Sequence, residues 1–199
     1  MTNPNPLPDN FQQTINESAQ LLQQNRPGEA AARLEPLHQL APTHPDIAIN
    51  LGGAFILQRK WSRAVRVLTK AAEANPENAM LWVNLGAAQL GNLQTAGPQQ
   101  QARAIRAYER ALQIDPVAPN VHYHLGLIYQ DQGNFDRAIA MFQRALEVRP
   151  SDSDARYWID KLTSLNAAEQ NNSSDATRSS PSSPKDNHAH QASANGEQP

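Results

Sequence analysis

Histidine pairs come closest to metal chemistry in this chain of 199 residues. His122 and His124 are two apart, a spacing that on a helix sends them to different faces, whereas residues four apart would share one. No shared metal is expected there, and for His188 and His190, in a polar stretch near the C-terminus, only weak incidental affinity. The absence of cysteine rules out disulfides, thiolate metal sites and a cysteine nucleophile, so stability must come from packing, and a reducing compartment fits. No nucleophile-base pair and no phosphate-cradling loop is visible. The expectation is a non-catalytic protein needing neither cofactor nor metal. Asn171-Asn172-Ser173 and Asn172-Ser173-Ser174 fit the glycosylation pattern, which is idle without a secretory signal, and Ser180-Pro181 and Ser183-Pro184 are dipeptides common in disordered tails.

Charge offers one recurring arrangement. The formal net charge of -2 announces no nucleic-acid or acidic partner in bulk. Locally, Arg63, Arg103 and Arg137 share one register, Lys70, Arg110 and Arg144 another, and Arg66 and Arg106 a third. Stacked helices would align them into a basic ladder able to meet an acidic protein, a lipid surface or RNA. Glu73, Glu109, Asp136 and Glu147 lie among them, so a solvated face with local ion pairs is the preferred reading and nucleic acid the disfavoured partner.

The elements that position these residues are framed by four prolines. Pro42 and Pro76 are 34 apart, Pro116 follows 40 later, and Pro150 comes 34 after that. Each follows an alanine-rich amphipathic stretch and stops a helix, because proline cannot donate to the helical ladder and disfavours helix in the residue before it. Counting back from them, small residues recur as Gly52, Ala64 and Ala71, then Gly86, Ala104 and Ala111, then Gly126, Ala138 and Ala145. A glycine facing alanines would let two antiparallel helices approach closely. Bulky residues recur beside them: Leu51, Phe55 and Leu68, then Leu85 and Tyr108, then Leu125, Tyr129 and Phe142.

The pattern resembles the tetratricopeptide repeat, and HYHLGLIYQDQGNFDRAIAMFQRALEVRP matches that helix-turn-helix signature almost throughout. The resemblance implies an all-α, right-handed solenoid of antiparallel helix pairs. Its expected organisation is a disordered 1–8, a degenerate repeat at 11–44 with Ser18 in the glycine place, repeats at 45–78, 79–118 and 119–152, a capping helix at 153–165 and a disordered tail at 166–199. In the cap, Ala155, Ile159 and Leu162 share a face and Asp160 takes the glycine place. Repeat 79–118 carries six extra residues between its helices, read as a surface excursion, with Gly97-Pro98 restarting the second helix.

The resemblance further implies that first helices line a concave groove at the second, fifth, ninth and twelfth places of each repeat. Those places hold Ile15, Ala19 and Leu22, then Ile49, Gly53 and Ile56, then Met80, Val83, Ala87 and Leu90, then Asn120, Tyr123, Leu127 and Gln130, with Tyr157 in the cap. Ile56, Leu90 and Leu127 are equally compatible with packing between repeats. The groove lacks the clamp residues by which some family members hold a carboxylate: its ninth place holds Gly53, Ala87 and Leu127 instead of asparagine, and Asn50 and Asn84 sit where asparagine is ordinary. An adaptor or scaffold is therefore expected, holding an apolar or amphipathic segment of a protein or peptide partner, or of another copy of itself. The alternatives are an electrostatic binder using the basic ladder and an accessory subunit of an enzyme complex. The N-terminal residues lack a secretory pattern and no apolar run could span a membrane, so a cytoplasmic location is expected.

Overall fold

The computed structural model describes residues 7–178, with side chains to 167. It divides into two compact units, Met1–Thr163 and Ser164–Pro199. In the first unit the proline frame sets the helix ends. Helices α2 (Pro27–Leu40), α4 (Trp61–Ala74), α6 (Pro98–Ile114) and α8 (Phe135–Val148) each stop with one residue left before Pro42, Pro76, Pro116 or Pro150. The same turn follows each of them. The amides of His44, Asn78, Ala118 and Asp152 donate to the carbonyls of Ala41, Asn75, Asp115 and Arg149 at 3.0–3.2 Å.

The first helices of the pairs are α1 (Phe11–Gln23), α3 (Pro45–Leu57), α5 (Ala79–Leu90), α7 (Val121–Asp131) and α9 (Ser153–Arg178). Three of the tight turns within pairs share a helix-ending loop. The amides of Arg26, Lys60 and Asn134 reach back to the carbonyls of Leu21, Phe55 and Tyr129 at 2.8–2.9 Å. Asn25, Arg59 and Gly133 supply the left-handed residue that this loop requires. The third pair departs from the rule: its chain leaves α5 at Gly91 (φ 66°) and passes through a 3-10 turn, Leu93–Thr95, before α6 begins at Pro98.

The glycine places differ from expectation. A Cβ on Gly52 would fall 2.6 Å from Leu68, one on Gly86 2.7 Å from Tyr108, and one on Gly126 2.7 Å from Phe142. The glycines thus seat the bulky residue of the partner helix rather than its alanines, and buried Ala64, Ala71, Ala104, Ala111, Ala138 and Ala145 close in around it. Ser18 is tolerated in the first pair because its hydroxyl is satisfied within the helix, donating to the Thr14 carbonyl at 2.7 Å.

Three apolar clusters make up the core. The first spans α1 to α5 around Leu34, Ile47, Leu51, Leu68 and Leu81 and reaches Ala107 of α6. The second joins α5, α6 and α7 around Tyr108, Val121, Leu125 and Ile128. The third is small, with Phe142, Ala138, Ala145, Ala155 and Leu162. Half-buried Trp82 packs against both the first and the second, and half-buried Tyr129 against both the second and the third.

Three expectations are corrected. Leu7 packs against the first cluster, so order begins within the stretch read as disordered. Helix runs on to Arg178 rather than ending at Leu165, since adding one residue to an existing helix needs no new nucleus. The rest of the expected tail, 179–199, and residues 1–6 lie outside the described residues, as do His188 and His190. The insertion is not a mere excursion either, because Leu93 and Ala96 pack against the second cluster. Behind them buried Gln101 donates to Asp131 Oδ2 at 2.6 Å and accepts from Gln132 at 2.9 Å, tying the start of α6 to the end of α7.

Candidate functional site

Helix α3 packs alongside both α1 and α5, which brings five of the groove residues together. Ile49, Gly53 and Ile56 on α3 and Val83 and Ala87 on α5 are all half-buried, neither lost in the core nor fully in water. No charged side chain is among them. Met80, 40% exposed, lies at the start of the same row beside the turn through Pro76, Glu77 and Asn78. Asn50 and Asn84 turn inward on their own helices, donating to the carbonyls of Asp46 and Met80 at 2.9 Å. Leu90 is corrected: it is buried in the second cluster and faces no groove. Ile15 is likewise buried in the first cluster, whereas Ala19 and Leu22 remain half-buried.

The row does not continue evenly onto α7. Helix α7 meets the 3-10 turn of the insertion, and α5 and α7 do not pack along one another as α3 and α5 do. Tyr123 belongs to a separate aromatic group, with ring centroids 5.5 Å from Phe142, while Phe142 stacks on Trp158 at 6.2 Å and Trp158 meets Tyr157 at 5.5 Å. Lys161 places its ammonium 5.0 Å from the Trp158 ring. Trp158 escaped the sequence reading because it falls outside the four groove places, although an aromatic residue next to Tyr157 was a visible signal. Leu127 packs half-buried against this third cluster, and Gln130 is half-buried near the end of α7.

Asn120 and Tyr123 do line a cleft of about 210 Å³, with His122, Val148 and Arg149. Arg149 donates to Asn120 Oδ1 at 3.1 Å and also to Asp152. The Asp152 carboxyl lies below the usual carboxylate range because it accepts the Ala155 amide and then Arg149. The two histidines diverge as their spacing predicts: His122 faces this cleft while His124 stacks on Tyr108 at 5.6 Å. Burial pushes the Tyr108 phenol up and the His124 imidazole down.

A pH dependence results. Burial lowers the affinity of His38, His122 and His124 for a proton below the ordinary value of 6.5. The unfolded chain then binds more protons, so stability is full above that value and is lost as pH falls below it. The thermal midpoint should drop between neutral pH and mildly acidic pH, and His124→Phe, which keeps the stack on Tyr108, should flatten that slope in calorimetry. An unchanged slope would remove His124 from the account.

The basic ladder resolves into paired and unpaired members. Arg63 bonds Glu35 at 3.0 Å, Arg110 bonds Glu77 at 2.7 Å, and Arg144 bonds Glu147 at 2.9 Å. Arg137 lies over the Tyr129 ring at 5.7 Å. Arg66, Lys70, Arg103 and Arg106 are exposed and form no ion pair among the described residues. Among those residues there is also no group of three metal-ligating side chains and no helix long and apolar enough to cross a membrane.

Stacked helix pairs with recurring glycine seats and proline stops define an all-α repeat solenoid. This chain belongs to the tetratricopeptide-repeat family: models described as tetratricopeptide repeat match residues 21–88 and 119–152, and one described as TPR repeat matches 99–133. It is similar to the peroxisomal targeting signal receptor of Candida glabrata, 24% identical over 137 residues that span 69% of this chain and 22% of that protein. It is also similar to anaphase-promoting complex subunit 3 of Schizosaccharomyces pombe, 26% identical over 56% of this chain and 16% of that protein. The chain thus spans about a fifth of the length of these curated relatives. Its fold is that of MamA from Desulfovibrio magneticus, with a TM-score of 0.66 at 21% identity over 87% of this chain and 94% of that one.

Proposed function

We propose that this chain is a non-catalytic adaptor working in the cytoplasm, holding an apolar or amphipathic segment of a protein partner against α3 and α5. The observation that carries this reading is the uncharged, half-buried row of Ile49, Gly53, Ile56, Val83 and Ala87 on two adjacent first helices. Gly53 leaves the row open at its middle: a Cβ there would approach nothing nearer than Leu22 at 4.0 Å. A partner helix laying apolar side chains into such a row gains about 1.5–3 kcal/mol per fully buried side chain, enough for micromolar binding after ordering costs. The related targeting-signal receptor and complex subunit support the reading that such repeats serve to hold another protein. Tyr123, Leu127 and Tyr157, with the uncharged amide of Gln130, form a second contact zone in this proposal, beyond the insertion.

The test is selection of peptides from a displayed amphipathic library, followed by methyl chemical-shift mapping. Selected peptides should move the Ile49, Ile56 and Val83 signals, and Val83→Glu should weaken them by about tenfold or more while helicity is retained. Peptides that bind without moving those methyls would overturn the reading.

A further inference from the structure

Two clefts open on the second-helix side, away from the row described above. One, of about 480 Å³, lies between α2 and α4 and is floored by Leu51 and Phe55 of α3, with Arg63, Arg66 and Lys70 on its rim. The other, of about 240 Å³, is floored by Trp82 and Leu85 of α5, with Arg103 and Arg106 on its rim. They occupy the same place in successive repeats: Leu51 and Leu85 are 34 apart, and Arg63 and Arg66 precede Arg103 and Arg106 by 40, the two repeat lengths of this chain.

The charge on these rims is left over. Glu35 is the one carboxylate lining either cleft, and Arg63 takes it. Arg66, Lys70, Arg103 and Arg106 have no counter-ion among the described residues, although the chain as a whole is slightly acidic. The first cleft also encloses a polar atom with nothing to bond, the Nδ1 of His38. Concentrated cations over apolar floors favour a ligand that brings carboxylates and greasy side chains together.

Nucleic acid fits less well. Its bases need free aromatic faces to stack upon. Here the Phe55 ring is already covered by the Arg63 guanidinium at 4.2 Å, and Trp82 is held by its indole N–H, which donates to the Pro76 carbonyl at 3.0 Å.

We propose that the two outer clefts form a second docking site, for an acidic segment of a partner protein in which aspartate or glutamate alternates with apolar residues. The site is independent of the uncharged row on α3 and α5, so one chain can hold two segments at once.

The test uses fluorescence anisotropy of the full chain with a labelled peptide alternating aspartate and leucine, its asparagine–leucine counterpart, and labelled oligouridylate. At low ionic strength the acidic peptide should bind about tenfold or more tighter than the neutral one and weaken with added salt. Arg66→Glu with Lys70→Glu, or Arg103→Glu with Arg106→Glu, should each cost about tenfold or more, while Val83→Glu leaves the affinity unchanged. Where a charge reversal fails to fold by circular dichroism, the corresponding glutamine pair replaces it. No binding of the acidic peptide, equal binding of the neutral one, indifference to the folded rim variants, loss through Val83→Glu, or tighter binding of oligouridylate would each overturn the proposal.

Discussion

Phe142→Ala is expected to remove about 3–5 kcal/mol from the unfolding free energy, read as a fall in the urea midpoint. Phe142 has no exposed surface and anchors a cluster whose other buried members are three alanines and Leu162. Alanines cannot grow into a vacated ring, so the cavity would persist. The Tyr123 edge contact and the Trp158 stack would go with it. Because the last pair can open before the rest in a repeat array, Trp158 fluorescence should be followed beside circular dichroism. A loss under about 1 kcal/mol would mean that the third cluster does not depend on this ring.

Gly126→Ala is expected to cost about 1–3 kcal/mol through overpacking, despite the better helix propensity of alanine. The added methyl would sit 2.7–2.8 Å from three atoms of the Phe142 ring, which is fully buried and has little room to retreat. The sharper expectation concerns the pair. On the Phe142→Ala background the same substitution should be neutral or stabilising, because the clash is gone and only the propensity gain remains. Equal costs on both backgrounds would show that Gly126 is needed for some reason other than the seat it makes.

Much of this fold was legible in local spacing. The prolines and glycines act on their own helix or the next one, within a few dozen residues, so one pass along the chain reveals the frame. What the glycines face was not legible, since spacing alone does not decide whether a ring or a methyl fills the gap. The fate of the basic ladder was hidden for a related reason. Arg63 finds Glu35 and Arg110 finds Glu77 across a repeat boundary, and which cations are neutralised depends on stacking register. For Leu90, read as equally compatible with the groove and with packing between repeats, spacing could not choose: the insertion after α5 brings Leu93 and Ala96 against the same cluster in which Leu90 is buried. The places on α3 and α5, by contrast, lie 34 residues apart with no insertion between them, so spacing alone sets them in line on neighbouring helices.

The division of the apolar core carries a consequence for how order is shared along the array. Trp82 packs against both the first and the second block and Tyr129 against both the second and the third, and both are still touched by solvent. Amide protons on either side of such a joint should exchange with different protection, the last helices yielding deuterium uptake first. A partner bridging a joint would act as a splint, slowing exchange in blocks it never touches.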